Sequence, residues 1–239
     1  AASSVLDCIF GNSPFLSQAV IRDPGFVCEL LCAGPDKAFS QVLSNISDKS
    51  KESLNDNDIA RILRVAKRRA AITIALADIA GLWPLEKITG TLSQFAGAAL
   101  DLAVAHLLRQ AAGQGAFELR HPDEPLKDSG FIVIGMGKLG AFELNYSSDI
   151  DLIVLYDADK IETSRPDRLQ NNFVRLTRNL VKLMDERTAD GYVFRTDLRL
   201  RPDPSATPWA LSVIAAETYD ESIGQNWERA AMIKARAIA

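Results

Sequence analysis

The sequence is poor in the residues that build disulfide frameworks, zinc sites and imidazole-based catalysis. Its 239 residues include three cysteines and two histidines. Three cysteines are too few for a disulfide framework, and they leave no second cysteine pair to complete a zinc site. We therefore expect Cys8, Cys28 and Cys32 to be buried free thiols in a reducing cytoplasm. His106 and His121 have no neighbouring nucleophile in the sequence, and both are interpreted as structural residues.

Aromatic residues, a basic excess and long apolar runs are also scarce. Aromatics make up 7% of the chain, and the apolar content comes mostly from Ala, Leu, Ile and Val, which argues against an all-β sandwich. The 27 basic and 31 acidic residues speak against a nucleic-acid partner. The longest apolar stretch, residues 70–82, contains Thr73 and Asp78 and is shorter than the ~18 to 20 residues of a membrane span. The composition predicts a soluble cytoplasmic globular protein without a membrane or nucleic-acid partner.

The first half of the chain has the pattern of a helical domain. Ser13-Pro14 and Asp23-Pro24 each place a capping side chain before a proline suited to the first helical position. Apolar residues then recur at helical spacing up to Gly113. Residues 113–129 contain Pro122 and Pro125 and are interpreted as a linker. We therefore assign residues 1–125 to a helical N-terminal region.

The second half changes character. Short apolar runs predict three strands, at residues 131–134, 150–156 and 192–200. A long amphipathic helix is predicted between the last two strands, and two further helices are predicted near 215–223 and 227–238. Residues 126–239 therefore form a predicted domain with a small mixed β-sheet and helices, and the fold class is α+β. The last helix has no stop signal, which suggests a fragment of a longer protein.

A glycine motif follows the first predicted strand. Gly135-Met-Gly-Lys-Leu-Gly140 matches the G-x-G-x-x-G pattern of dinucleotide-binding folds. That fold also needs a crossover helix between parallel strands, usually a dozen residues or more with its turns. Only residues 141–148 separate the last glycine from the next candidate strand, so the dinucleotide interpretation is disfavoured. A phosphate-binding P-loop is disfavoured as well, because Ile132 occupies the position of its first glycine.

Two aspartates open the second predicted strand. Side chains alternate along a strand, so Asp149 and Asp151 are expected on the same side. Like charges held close together repel one another unless a cation lies between them. Because carboxylates are hard oxygen ligands, the expected cation is Mg²⁺ or Mn²⁺ rather than zinc.

The third predicted strand adds one acid among arginines. Alternation places Arg195, Asp197, Arg199 and Arg201 on one face and apolar residues on the other. Asp197 would complete an oxygen cage for two metal ions, and arginines suit phosphate oxygens. This combination is typical of phosphoryl or nucleotidyl transfer. Two simpler interpretations remain open: Asp149 could cap a turn, and the arginines could pair with Asp197 on a solvated strand face.

These motifs together resemble the DNA polymerase beta-like nucleotidyltransferase superfamily. Within it, the glycine motif, Glu143-Leu-Asn-Tyr-Ser-Ser-Asp-Ile-Asp151 and Asp197-Leu-Arg-Leu-Arg-Pro202 are similar to the glutamine synthetase adenylyltransferase family. The resemblance is strongest over residues 131–236. It implies a polymerase-beta-like catalytic domain with Asp149, Asp151 and Asp197 as catalytic metal ligands for two Mg²⁺ ions, with Mn²⁺ as an alternative. The nucleotide- and phosphate-binding residues that it implies are Gly137, Lys138, Ser147, Ser148, Arg199 and Arg201.

The resemblance also implies a reaction. Family members carry two nucleotidyltransferase domains, one attaching AMP to a tyrosine of glutamine synthetase and the other removing it by phosphorolysis. Residues 226–236 and Asn145-Tyr-Ser-Ser148 are more similar to the adenylyl-removing domain. Its substrates are adenylylated glutamine synthetase and phosphate, its nucleotide product is ADP, and a PII signalling protein and glutamine regulate the full-length protein. The alternatives are adenylyl transfer from ATP and a non-catalytic docking module.

Overall fold

The first half of the chain is helical, as the sequence predicts. The computed structural model describes residues 2–50, 52 and 54–239. Six helices fill the first half of this part of the chain: α1 Ala2–Asn12, α2 Pro14–Arg22, α3 Pro24–Ala33, α4 Pro35–Lys49, α5 Asp56–Ile79 and α6 Leu85–Gly113.

The two predicted helix caps behave differently. The Ser13 side chain accepts a hydrogen bond from the Leu16 amide, so it caps α2 as expected. Asp23 lies at the start of α3, but its side chain makes no capping hydrogen bond. The Asp23 carboxylate instead accepts a hydrogen bond from Arg69 Nε at 2.7 Å, which ties α3 to α5. A charged partner from another helix has displaced the local cap.

The second half combines short strands with helices, which confirms the α+β class. Its elements are β1 Phe131–Gly135, α7 Gly137–Gly140, β2 Ile150–Tyr156, α8 Leu169–Asp185, β3 Thr196–Asp197, β4 Leu211–Ser212, α9 Val213–Ser222, α10 Asn226–Ala231 and β5 Arg236–Ala237. The sheet order is β3-β2-β1-β5, and β4 also pairs with β2.

Strand direction excludes a dinucleotide-binding fold around the glycine motif. β1 and β2 are antiparallel, with Phe131 opposite Tyr156 and Gly135 opposite Leu152. A dinucleotide-binding βαβ unit needs parallel neighbours joined by a crossover helix. Here the glycine motif forms only the single turn α7, and the chain then returns along β1 in the opposite direction.

Two predicted elements are shorter than expected. The predicted strand 192–200 is wrong except at Thr196–Asp197, because the amides of Val193 and Phe194 both donate to the Met184 carbonyl at the end of α8. The predicted helix 227–238 is wrong beyond its first turns, since β5 forms there and pairs with β1. The pairing covers an edge of β1 that the helix would have left open.

One hydrophobic core joins the two halves of the chain. Buried apolar residues from α1 through the sheet form a single cluster. Around Phe173 of α8, three rings stack at centroid distances of 5.4 Å for Phe117, 5.5 Å for Phe131 and 4.9 Å for Tyr156. Phe117 comes from the predicted linker, so that segment is packed against the second half of the chain rather than free.

The predicted burial of the cysteines is wrong, although their free state is confirmed. Cys8, Cys28 and Cys32 are free but exposed. Helix α3 buries Phe26, Val27 and Leu30 instead, which leaves the thiols of Cys28 and Cys32 exposed.

Helix α6 is long and apolar, with 29 residues. In the described residues it is the one helix that could cross a membrane by length and composition alone. However, 78% of its most apolar window is buried inside the structure, as in the central helix of a globular domain.

Arg64 of α5 ties the helical half to the end of α8. Its side chain is 1% exposed and donates to the carbonyls of Gly191 at 2.9 Å, Ala60 at 2.9 Å and Glu186. Arg64→Ala would leave these acceptors without their charged donor and open a cavity, so we expect a loss of about 3 kcal/mol in the free energy of unfolding. Chemical denaturation measures it, and Arg61→Ala at an exposed position of the same helix should change the value by less than about 0.5 kcal/mol.

Asp101 of α6 gives a pH-dependent prediction. Burial raises the pKa of its carboxyl to about 6, and nearby Arg236 partly opposes the shift. The folded state therefore holds this proton more tightly than the unfolded state, and stability falls as pH rises from about 4 to 6. Asp101→Asn removes this titrating carboxyl. The free energies of unfolding of variant and wild type should therefore diverge by up to about 3 kcal/mol over this pH range. Parallel pH curves of the two unfolding free energies would contradict the prediction.

Candidate active site

The candidate site lies where β2 and β3 begin side by side. These strands are parallel, and Asp151 of β2 is the register partner of Asp197 of β3. Neighbouring strands are about 4.8 Å apart, and register partners point to the same face of a sheet. Asp149 immediately precedes β2. The structure thus brings together the three aspartates that the sequence analysis singled out.

The glycine turn closes one side of this group. The Met136 amide donates to the Asp151 carbonyl at 2.9 Å, which fixes α7 against the start of β2. Gly137 has φ +52°, and a Cβ built there would lie 3.5 Å from Asp151 Oδ2. The left-handed backbone favours glycine, and the added Cβ would itself contact the carboxylate.

Arginines neutralise two of the three acids. Arg195 Nε donates to Asp149 Oδ1 at 2.5 Å, and a second guanidinium nitrogen donates to the Ser147 carbonyl at 2.7 Å. The backbone amide and the guanidinium of Arg199 both donate hydrogen bonds to the Asp197 carboxylate, with donor–acceptor distances of 2.5 to 3.0 Å. Pairing of arginine with Asp197, one of the simpler interpretations, therefore occurs.

Asp151 has no such partner. Within residues 2–50, 52 and 54–239, no side chain donates a hydrogen bond to its carboxylate. Burial raises the pKa of Asp151, the charges of Asp197 and Asp149 raise it further, and Arg199 opposes the shift. By contrast, the hydrogen bond from Arg199 lowers the pKa of Asp197. The middle acid of the group thus lies in a negative field that Arg199 offsets only in part.

The expected two-metal cage is not preassembled. Across residues 2–50, 52 and 54–239, no group of three acidic, thiol or imidazole side chains is positioned to hold a metal ion. The physical reason is that Asp149 and Asp197 each turn to an arginine instead of to a shared centre. The chemistry of the donors nevertheless fits a divalent cation: the carboxylates come from adjacent strands, and the one on Asp151 has no arginine hydrogen-bonded to it within the described residues.

The predicted phosphate-binding residues have different surroundings. Lys138 is exposed at the start of α7, and Ser147 and Ser148 lie in the loop just before Asp149. Arg199 is exposed beyond Asp197, with 83% of its side chain accessible. Arg201 instead bonds the carbonyls of Leu198, Pro204 and Thr207, so it holds the loop after β3. For all of them, phosphate binding stays a prediction.

Sequence reasoning missed the role of Arg195. Its alternation with Asp197 placed it on the polar face, but no pattern indicated Asp149 as its partner. The pair joins residues 46 positions apart, and only the packing of β3 beside β2 creates it.

Gly140 at the end of the glycine motif generates a stability prediction. A Cβ there would lie 1.8 Å from the Lys234 carbonyl oxygen and 2.5 Å from that of Gly135. Gly140→Ala must push these backbones apart, so we expect a loss of about 3 kcal/mol in the free energy of unfolding. Gly113→Ala is the matched control: no atom lies near its Cβ position at the end of α6, and alanine should be neutral or stabilising there. Equal effects of the two substitutions in thermal denaturation would contradict this account.

Comparison with known proteins adds to this geometry. The family model of glutamate-ammonia ligase adenylyltransferase (GlnE) matches residues 4–239. Similar proteins named bifunctional glutamine synthetase adenylyltransferase/adenylyl-removing enzyme include one from Rhizobium meliloti (strain 1021), 53% identical over 236 residues and 96% of this chain. Another, from Brucella suis biovar 1 (strain 1330), is 46% identical over 239 residues and 100% of this chain.

Both matches cover 24% of the relative, so the chain spans about a quarter of the length of these curated proteins. The family match extends over nearly the whole chain, including the helical half that carried no motif of its own. The chain belongs to the glutamate-ammonia ligase adenylyltransferase family.

Proposed function

We propose that this chain contains the adenylyl-removing site of a glutamine synthetase adenylyltransferase. The reaction is phosphorolysis: phosphate attacks the phosphorus of an adenylyl-tyrosine, the bond from phosphorus to the tyrosine oxygen breaks, and ADP leaves. The tyrosine oxygen takes up a proton, which restores unmodified glutamine synthetase. The observation that carries the proposal is the group Asp149, Asp151 and Asp197, brought together by the β2–β3 register.

The names of the similar proteins include both attachment and removal of an adenylyl group. The sequence of this chain favours removal. Asn145-Tyr-Ser-Ser148 and residues 226–236 resemble the removing domain. The glycine turn beside Asp151 and the short sheet agree with a polymerase-beta-like nucleotidyltransferase domain, which we propose as the fold of residues 126–239.

In this proposal the acidic residues bind the metal ions and the basic residues bind phosphate. Asp149, Asp151 and Asp197 would hold Mg²⁺ or Mn²⁺, which supplies positive charge against the adenylyl and attacking phosphate groups. Arg199 lies at the solvent edge and can bind a phosphate oxygen in bidentate fashion. The glycine turn allows the adenylyl phosphate to approach the backbone near Gly137, with Lys138 and the hydroxyls of Ser147 and Ser148 close by in sequence. Arg195 keeps Asp149 oriented through its hydrogen bond.

The remaining parts of the proposal concern the longer protein. Adenylylated glutamine synthetase is the proposed protein substrate, and a PII signalling protein and glutamine are the proposed regulators. The cytoplasm is the proposed compartment, where this substrate and free phosphate would be available.

Asp151→Asn provides the test of the acid group. We expect ADP release from adenylylated glutamine synthetase, phosphate and Mg²⁺ to fall by about 100-fold or more, since the substitution removes the central negative charge. The same change relieves repulsion with Asp149 and Asp197, so thermal stability should hold or rise slightly. Asp159→Asn, at an exposed position beyond β2, is the matched control and should leave the rate unchanged.

Near-normal ADP release by Asp151→Asn under saturating Mg²⁺ would refute the assignment of the acids. Replacing phosphate by ATP, with unmodified glutamine synthetase, separates removal from transfer. Incorporation of AMP under those conditions, without ADP release in the first assay, would show that the chain works in the opposite direction.

A further inference from the structure

The segment that carries Asp149 into the site is an irregular loop. We call residues 141–149, which connect α7 with β2, the site loop. Two of its non-glycine residues, Phe142 and Ser147, have positive φ values of 60° and 55°. Such conformations cost energy in ordinary residues and persist only where surrounding contacts impose them. The contacts that hold the site loop therefore matter for the position of Asp149.

The first anchor of the site loop comes from the helical half. Leu144 is fully buried, and its amide donates to Ser93 Oγ of α6 at 3.1 Å. Ser93 is itself buried and donates to the Thr89 carbonyl at 2.9 Å. One hydroxyl thus satisfies a loop amide and fixes its distance from α6.

The second anchor is a hydrogen bond between side chains. Tyr146 Oη donates to Asp78 Oδ2 at 3.0 Å, which joins the site loop to the end of α5. Burial and Asp78 both raise the pKa of the Tyr146 phenol, so it remains a donor near neutral pH. Asp78 lies in the last turn of α5, where a carboxylate faces the negative end of the helix dipole. The hydrogen bond from Tyr146 offsets that unfavourable position.

The third anchor comes from the opposite side. Arg195 bonds both the Ser147 carbonyl and the Asp149 carboxylate. Tyr146 is adjacent to Ser147, so the contact to α5 and the contact to Arg195 act on consecutive residues. The site loop is therefore held between the helical half and the segment that leads into β3.

We propose that Asp78 and Tyr146 are positioning residues, through which the helical half of the chain holds the site loop so that Asp149 stays beside Asp151 and Asp197. The kinetic part of this inference rests on the proposed function, whereas its structural part does not. The helical half thereby acquires a role in the site, although neither residue touches the substrate.

The experiment uses three variants of the same hydrogen bond. Tyr146→Phe removes the donor, and Asp78→Ala removes the acceptor. Asp78→Asn keeps an acceptor oxygen without the charge. Tyr219→Phe is the control, because Tyr219 also donates to a carboxylate, that of Glu228, at a place away from the site loop.

Hydrogen exchange of the site-loop amides is the first readout. Tyr146→Phe and Asp78→Ala should each speed exchange at residues 144–149 about fivefold, the effect of one hydrogen bond, and the double variant should be no faster than either. Asp78→Asn and Tyr219→Phe should match wild type. Exchange in α8 should be unchanged in all of them, which distinguishes a loop effect from general destabilisation.

Kinetics are the second readout. We expect kcat for ADP release to fall about fivefold in Tyr146→Phe and Asp78→Ala with the KM for phosphate unchanged, and Asp78→Asn to restore kcat. Wild-type exchange and kcat in Asp78→Ala would overturn the proposal, and so would equal impairment of Asp78→Asn and Asp78→Ala. If the wild-type chain releases no ADP, the proposed function fails, and the exchange data alone decide whether the pair holds the loop.

Discussion

The arrangement of the site depends on one register, that of the short parallel pair β2 and β3. It places Asp151 next to Asp197, and Asp149 is one step before β2. Three carboxylates held this closely raise the free energy of the folded chain unless positive charge is near. The protein meets that constraint with Arg195 and Arg199 for the outer two acids, whereas the field at Asp151 is offset only in part, by Arg199. The proposed cation binding rests on that asymmetry.

The rest of the fold serves to keep this register. Arg64 fixes the turn that follows α8, and the Met184 carbonyl accepts the amides of Val193 and Phe194, so the chain enters β3 from a defined point. Phe173 of α8 stacks on Tyr156 at the end of β2, which fixes α8 against the sheet. Because the core extends without a break into α5 and α6, the helical half supports the site directly instead of being an appended module.

Some features were predictable because local signals agree. The run at 152–156 is apolar and lies between Asp151 and Asp157, and it forms most of β2. The spacing of the glycine motif to Asp149 was too short for a crossover helix, and the antiparallel pairing of β1 with β2 bears that out. The predicted strand 192–200 failed before Thr196 because the Val193 and Phe194 amides donate to Met184, and after Asp197 because the Asp197 carboxylate accepts a hydrogen bond from the Arg199 amide. A local side-chain bond prevailed over periodicity.

The sequence by itself determined the acid residues, the glycine turn, the α+β class and the family resemblance, since these follow from residue type and short-range spacing. Only the tertiary structure decided which charges meet. The pairing of Asp149 with Arg195, the approach of Lys234 to Gly140 and the contact of Asp78 with Tyr146 each join distant segments. The register of a two-residue strand and the packing of helices on a loop depend on the whole core, so no local pattern encodes them.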